Sequence, residues 1–468
     1  MKQRLAALLS RDTFAPAQNK SFLHHIMGRI YIADGSLLIS MLPPNFHVFR
    51  TPRLSYFSYC DDFGPMNASS VIKFVNILET QLHQHPEMDI VYVSEAGVRQ
   101  FTNATFLVGC YLILKEKMSA FDVWNLFSEV SPERFEGFRD ATFSEGDFRL
   151  TLLDCWLGFS KAQLFGWIDM PNDRGVWGVI DPKEYEHYEN PLNGNLNIVV
   201  PSKFIALQGP SSVPNNGLYM DCPVKGRIFS PSYYVEIFKS LGVTDVIRLN
   251  QEHYDNEIFE NSGIRVHNLE FEDCTVPQHD IVSKFFAVSD SASGLIAVHC
   301  KAGLGRTGTL IALHLMRTYG FSAREAMGWL RIMRPGCVIG EQQEYLCRVE
   351  TLLRKHLDKS CDDTSILPMT SKVSRKISQL YSTLSNFNLP FALGNGRLKQ
   401  STPTSKAGEG RILLTVEGQL SAGNNGPLHI APGPEADCRA PAQNSVDVSG
   451  GLARRAIVAA AQARSHAF

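Results

Sequence analysis

No window of the 468-residue chain approaches the roughly 20 consecutive apolar residues needed to cross a bilayer; the nearest, Phe106 to Leu114, stops at Lys115, Glu116 and Lys117. Neither charge is in excess, with 45 Lys plus Arg against 47 Asp plus Glu. That balance removes any whole-chain argument for binding nucleic acid or an anionic membrane and leaves electrostatic selectivity to local features. The amino terminus, MKQRLAALLSRDTF, carries basic residues and a short apolar patch, but Ser10, Arg11 and Asp12 interrupt it too early for a secretory leader. A soluble, intracellular protein is expected. Cysteines 60, 110, 155, 222, 274, 300, 337, 347, 361 and 438 show no paired short spacing. Neither a zinc ribbon nor a disulfide-stapled scaffold is therefore indicated, and no metal or other cofactor is expected. From Thr402 to Ala467 there is no Phe, Trp or Tyr, and SKVSRKISQL before that is polar. Such a tail cannot bury enough apolar surface to offset chain entropy and is expected to be disordered.

What is present is an alternation of strands and helices, in a chain longer than one hydrophobic core usually serves. VTDVIRL (243–249), IRVHNLEF (264–271) and LIAVH (295–299) read as strands, and 306–319, 323–333 and 341–355 as helices. This predicts an α/β fold with a mostly parallel sheet, whose chemistry falls at the carboxyl ends of strands. The first half echoes the second. DIVYVSEAGVRQFTNATFLVGCYLIL (89–114) follows the pattern of GLIAVHCKAGLGRTGTLIALHLM (294–316), with Ser94 where Cys300 stands and Gln100 where Arg306 stands. The echo predicts two tandem domains, the first without a nucleophile; two unrelated α/β domains are the alternative. Between them DPKEYEHYENPLNGN (181–195) predicts a linking helix that stops before Pro191.

The string His299-Cys300-Lys301-Ala302-Gly303-Leu304-Gly305-Arg306-Thr307-Gly308 carries the chemistry. A cysteine and an arginine separated by five residues, two of them glycine, let the backbone curl so that its amides face a tetrahedral oxyanion. The helix opening at Arg306 adds its positive end, and the guanidinium fork grips two phosphate oxygens. The same setting favours the thiolate of Cys300 as nucleophile, with His299 and Thr307 placed to support it by hydrogen bonds. An acid must serve the leaving oxygen. Asp273, in the FEDCTVP segment after a strand, is the candidate, and Glu272 competes with it. Gln342 or Gln343, in VIGEQQEY, is placed to position the water of a second step.

HCKAGLGRTGTLIA resembles the signature of the dual-specificity branch of the protein tyrosine phosphatases. RPGCVIGEQQ, FRDATF, EYEHYE and DDFGP together resemble the cell-division-cycle-fourteen phosphatase family, over residues 24–356. The resemblance implies two tandem dual-specificity-phosphatase-like domains, non-catalytic over 21–178 and catalytic over 196–358. An N-terminal extension (1–20), a linker (179–195) and a tail (359–468) complete the chain. It also implies Cys300, Arg306 and Asp273 in the roles above, a phosphate cradle from Lys301 through Ala302, Gly303, Leu304 and Gly305 to Arg306, and Gln342 as the water-positioning residue, because Tyr345 follows it. Two departures stand out: Glu341 where a proline is expected, and Cys274 where a glycine is expected after the acid.

As substrates the resemblance implies phosphoproteins, preferably at phosphoserine-proline sites with a basic residue downstream, in cell-cycle, mitotic-exit or cilium-related control. The corresponding locations are nucleus and cytoplasm, including centrosome, spindle or cilium base. Glu184, Glu186 and Glu189 add a physical reason, since they are placed to line an acidic groove between the domains. No nucleic-acid partner or membrane insertion is expected, and the sequence is silent on oligomeric state. Two other functions compete: a phosphoinositide phosphatase, which would want more basic residues than Lys301 alone in the loop, and a phosphate-binding scaffold without activity.

Overall fold

The computed structural model describes residues 23–359 except 38–41, 144–145 and 224–225. The expected extension over residues 1–20 and the tail beyond Lys359 lie outside the described residues. Strands β1 (Leu23–Met27), β2 (Ile30–Ala33), β3 (Phe46–Phe49) and β4 (Asp89–Val93) form a sheet of order β1-β2-β4-β3. Only β1 runs antiparallel within it. Helices α1 (Ala68–Gln84), α2 (Val98–Glu116), α3 (Ala120–Leu126) and α4 (Leu152–Leu164) complete this unit, and α5 (Pro182–Glu189) leads out of it. Helix α5 starts where Asp181 caps the backbone N–H groups of Lys183 and Glu184, and it ends just before Asn190 and Pro191.

The second unit holds β5 (Leu196–Val200), β6 (Phe204–Gln208), the hairpin β7 (Tyr219–Cys222) and β8 (Gly226–Phe229), α6 (Pro231–Leu241), β9 (Val243–Arg248), α7 (Glu257–Glu260) and β10 (Arg265–Asn268). It continues with α8 (His279–Ser291), β11 (Leu295–Cys300), α9 (Gly305–Tyr319), α10 (Ala323–Met333) and α11 (Glu341–Lys359). Its sheet has the order β10-β9-β11-β6-β5, parallel except for β5. The two sheets thus share a plan of antiparallel edge strand, then two parallel strands, of which the inner one, β4 or β11, feeds a helix. Strand β10 is shorter than the predicted 264–271, because pairing with β9 ends at Asn268 and Arg248, and Leu269 and Phe271 continue with single backbone bonds to Arg248 and Leu249.

The units share their main core, beside a smaller cluster within each, around Tyr31 and Val91 in the first and around Tyr234 and Phe238 in the second. One apolar cluster runs from Ile26 through Trp156, Phe159, Trp167 and Trp177 into Ile247, Phe321, Trp329 and Leu346. Its centre is the crossing of α4 on α10, where two glycines allow the backbones to touch: a Cβ at Gly158 would lie 2.3 Å from the Glu325 carbonyl oxygen, and one at Gly328 2.9 Å from Cys155 Cα. Both helices open with a capping box, Thr151 with Asp154 and Ser322 with Glu325. Each box's carboxylate also pairs across the crossing, Asp154 with Arg324 at 2.9 Å and Glu325 with Lys161 at 2.7 Å. Among the described residues no helix is long and apolar enough to cross a membrane.

Candidate active site

Cys300 ends β11, a strand flanked on both sides by parallel neighbours, and is 3% exposed. The chain then turns through Lys301 and Ala302, both exposed, to Gly303 at φ 70° and into α9 at Gly305. Two close approaches demand glycine. A Cβ at Gly303 would sit 2.0 Å from the Leu207 carbonyl oxygen, and one at Gly209, just past β6, 2.2 Å from that of Cys300.

The loop is shaped by a residue that the sequence reading passed over. Arg334 is buried and donates through Nε to the Gly303 carbonyl at 2.8 Å and through a terminal nitrogen to the Ala302 carbonyl at 3.0 Å. Its other nitrogen holds the Asn195 carbonyl and Asn197 Oδ1. In a trans peptide the N–H points opposite to the C=O, so drawing these carbonyls toward Arg334 turns the amides of Gly303 and Leu304 the other way, into the concavity of the loop. The sequence signal for it is an arginine directly before Pro335 and Gly336, at the start of RPGCVIGEQQ.

Arg306, 1% exposed, donates to the carbonyls of Phe271 at 2.8 Å and Leu249 at 3.2 Å, and its second terminal nitrogen lies 3.2 Å from Asp273 Oδ1. Its Nε has no partner among the described residues, nor has the hydroxyl of buried Thr307. Both are unspent donors near the loop. Asp273 stands in an exposed turn where Thr275 bonds back to the Glu272 carbonyl. The next residue, Cys274, has φ 61°, a conformation that suits the glycine expected there and strains a side-chain-bearing residue.

His299 does not reach the Cys300 sulfur. Its Nδ1 lies 3.3 Å from the Cys300 carbonyl, which only accepts, so Nδ1 carries the proton and Nε2 accepts from the Tyr254 hydroxyl at 2.8 Å. Burial, with the charges of Arg248 and Arg306 nearby, holds the imidazole down at about 3. His299 is therefore a neutral prop for the backbone at Cys300.

The two glutamines separate. Gln343 is engaged structurally, its Oε1 taking a hydrogen bond from Arg331 at 2.5 Å and its Nε2 donating to the Gly340 carbonyl. Gln342 donates to the Thr275 carbonyl of the acid loop at 2.8 Å, while its buried Oε1 has no partner among the described residues and lies beside Gly305, 2.7 Å from where a Cβ would stand.

The three linker glutamates also separate. Glu186 takes hydrogen bonds from Ser69 and Lys73, and Glu189 from Asn67; together they line an interdomain cavity of about 320 Å³ with Arg53, Tyr56 and Pro335. Glu184 faces elsewhere, into a smaller hollow with Val179, Tyr188 and Ile198. Two residues of helix turn the side chain about 200°, which accounts for the split. In the first unit Ser94 follows β4 and bonds to the Glu95 carbonyl, and Gln100 lies in α2, so neither a thiol nor a guanidinium occupies those places.

Comparison with known proteins agrees with this geometry. Residues 25–162 match the N-terminal half of dual specificity protein phosphatases, and residues 231–351 match the dual specificity phosphatase catalytic domain. The chain is 37% identical over 317 residues to dual specificity protein phosphatase CDC14C of Homo sapiens, covering 66% of this chain and 67% of that one. It is 36% identical over 324 residues to CDC14C of Symphalangus syndactylus, covering 68% and 63%. With tyrosine-protein phosphatase CDC14 of Saccharomyces cerevisiae it shares 37% over 304 residues, 62% of this chain and 52% of the yeast protein. The chain thus spans between about half and two thirds of the length of these relatives. It belongs to the CDC14 family of dual specificity protein phosphatases.

Proposed function

We propose that the chain hydrolyses phosphate monoesters on proteins through a phosphocysteine at Cys300. The observation that carries this reading is the convergence on one loop of a buried cysteine, inward-turned amides and the paired side chains of Arg306 and Asp273. In the first step the Cys300 thiolate attacks phosphorus and the P–O bond to the substrate breaks. Asp273 gives its proton to the leaving oxygen, while Arg306 and the loop amides hold the phosphoryl oxygens. In the second step a water, positioned by Gln342, attacks phosphorus and loses a proton to the Asp273 carboxylate. The P–S bond breaks and inorganic phosphate leaves with the thiolate restored.

The finer reading is a preference for phosphoserine followed by proline, with a downstream Lys or Arg, in cell-cycle control. It is supported by the family and by Glu186 and Glu189 in the interdomain cavity. Against a phosphoinositide substrate stands the loop itself, which offers Lys301 as its one lysine beside Ala302, Gly303, Leu304 and Gly305. Purified protein is expected to hydrolyse a small aryl phosphate and a phosphoserine-proline peptide, and Cys300→Ser to lose both activities. Turnover of a phosphoinositide in preference to the peptide would favour the lipid reading, and no turnover of any ester would favour a scaffold.

A further inference from the structure

Two motifs of the first unit, DDFGP (61–65) and FRDATF (138–143), supply nothing to the phosphate loop, yet the fold joins them into one strut. Phe138 exchanges backbone hydrogen bonds with Leu150 at 2.7 and 3.0 Å. Arg139 donates to Asp61 at 2.6 Å and to the Thr142 carbonyl at 3.1 Å, and the Cys60 thiol reaches that same carbonyl at 2.9 Å. Asp62 fixes the base of the strut by accepting from the backbone of Tyr59 and Cys60 and from the Tyr56 hydroxyl. From this anchored segment Asp140, 3% exposed, crosses to the second unit, and its Oδ2 accepts the Gly340 N–H at 2.7 Å. The Thr142 hydroxyl holds its other oxygen.

Gly340 directly precedes α11 and stands two residues before Gln342. The segment around it is gripped from inside by Arg331, whose guanidinium bonds the carbonyl of Cys337 and the side chain of Gln343, and which also takes the Phe138 carbonyl of the first unit. Burial lowers the basicity of Arg331, and Asp140 is foremost among the negative groups that oppose this. A carboxylate at the start of α11 is also favoured by the helix dipole.

We propose that Asp140 is a positioning residue for the second chemical step: through Gly340 it fixes the start of α11, and so the place of Gln342 beside the phosphate loop. The inference rests on the phosphatase reading and gives the nucleophile-free half a part in turnover. From an activated aryl phosphate, formation of phosphocysteine uses Cys300 and Arg306 and does not need the acid loop, which Gln342 also tethers, or a water placed by Gln342. Its hydrolysis does, so loss of Asp140 acts after the first product has left.

The test uses the full chain, a small aryl phosphate, rapid mixing and acid quench. In Asp140→Ala the first-turnover release of phenol is expected to stay within about twofold, while kcat falls between roughly ten- and a hundredfold, the range for small misplacements of a reacting group. The phosphocysteine fraction at steady state rises. Asp140→Asn, which keeps an oxygen acceptor, restores kcat. In a Gln342→Ala background Asp140→Ala adds little, because both changes act on one step. A proportionate loss of first-turnover and steady-state rates, or full additivity with Gln342→Ala, overturns the inference and leaves Asp140 as a fold support. Absence of any phosphocysteine in the unaltered protein would instead strike the phosphatase reading. If Asp140→Ala does not fold, Thr142→Val is expected to raise the phosphocysteine fraction in the same direction, and an unchanged fraction overturns the inference.

Discussion

A terminal nitrogen of Arg306 lies 3.2 Å from Asp273 Oδ1, so the side chain proposed to grip phosphate and the one proposed to protonate the leaving oxygen form an ion pair with each other. Arg306 is enclosed and Asp273 is half-exposed. The acid loop is therefore tethered at two points, by Arg306 to Asp273 and by Gln342 to the Thr275 carbonyl. Under the proposed mechanism, substrate phosphate would compete with Asp273 for the same guanidinium.

Asp273→Ala removes both the proton donor and that competitor. On phosphopeptides kcat is expected to drop by at least ~10²-fold, the lower end for general acids. Binding of vanadate, a tetrahedral oxyanion, is expected to be kept or tightened, measured as inhibition of residual turnover. Glu272→Ala is expected to change little; a large loss there with a small one at Asp273 would transfer the acid's role.

Glu186 and Glu189 share one face of α5, but Glu186 already pairs with Lys73 at 2.8 Å, with both side chains substantially exposed. Exposed pairs of this kind are worth only ~0.2 to 1 kcal/mol each. Changing both glutamates to Gln is expected to reduce kcat/KM modestly for a phosphoserine-proline peptide with a downstream Lys, and to spare a small aryl phosphate. Lys73→Met is expected to act oppositely, since it frees Glu186 for the substrate. Equal losses on both substrates would assign α5 to the fold alone.

Gly158 and Gly328 set how closely α4 and α10 approach. At an exposed helical site Gly→Ala gains up to about 1 kcal/mol. At Gly158 the added Cβ would meet the Glu325 backbone at 2.3 Å, so the sign is expected to reverse, with a loss of about 1 to 3 kcal/mol as for overpacked cores. Urea unfolding of Gly158→Ala measures it, and a gain in stability would show that the crossing has slack.

His299 and His314 are both buried, and burial holds each at about 3. A histidine depressed in the folded state stabilises fully above its unfolded value of about 6.5 and loses that contribution as pH falls toward the folded value. Stability is therefore expected to decline below about pH 6.5, by up to roughly 1.4 kcal/mol per pH unit for each group. His314 lies in α9 against Phe204, its ring 4.8 Å away, and has no part in the chemistry. His314→Leu is expected to make the decline between pH 6.5 and 5 shallower by about one proton's worth. An unchanged slope would mean that His314 protonates without unfolding.

The sequence by itself determined the Cys300–Arg306 loop, the alternation of strands and helices, and the absence of a thiol and a guanidinium from the matching places of the first half, because each is written in neighbouring residues. A cysteine at a strand end, glycines, an arginine opening a helix, and Ser94 and Gln100 in the matching places are local patterns with local consequences. Spacing also separated Glu184 from Glu186 and Glu189 in principle, since helical periodicity alone puts them on different faces. What only the tertiary structure decided are contacts between residues far apart in the chain. Arg334 shapes a loop some thirty positions upstream, Gln343 is engaged by Arg331 while the Oε1 of Gln342 is left beside Gly305, and Asp140 reaches Gly340 across two hundred residues. These depend on how α4 crosses α10 and on one core shared by both units, and no periodicity in sequence encodes the relative placement of two packed sheets.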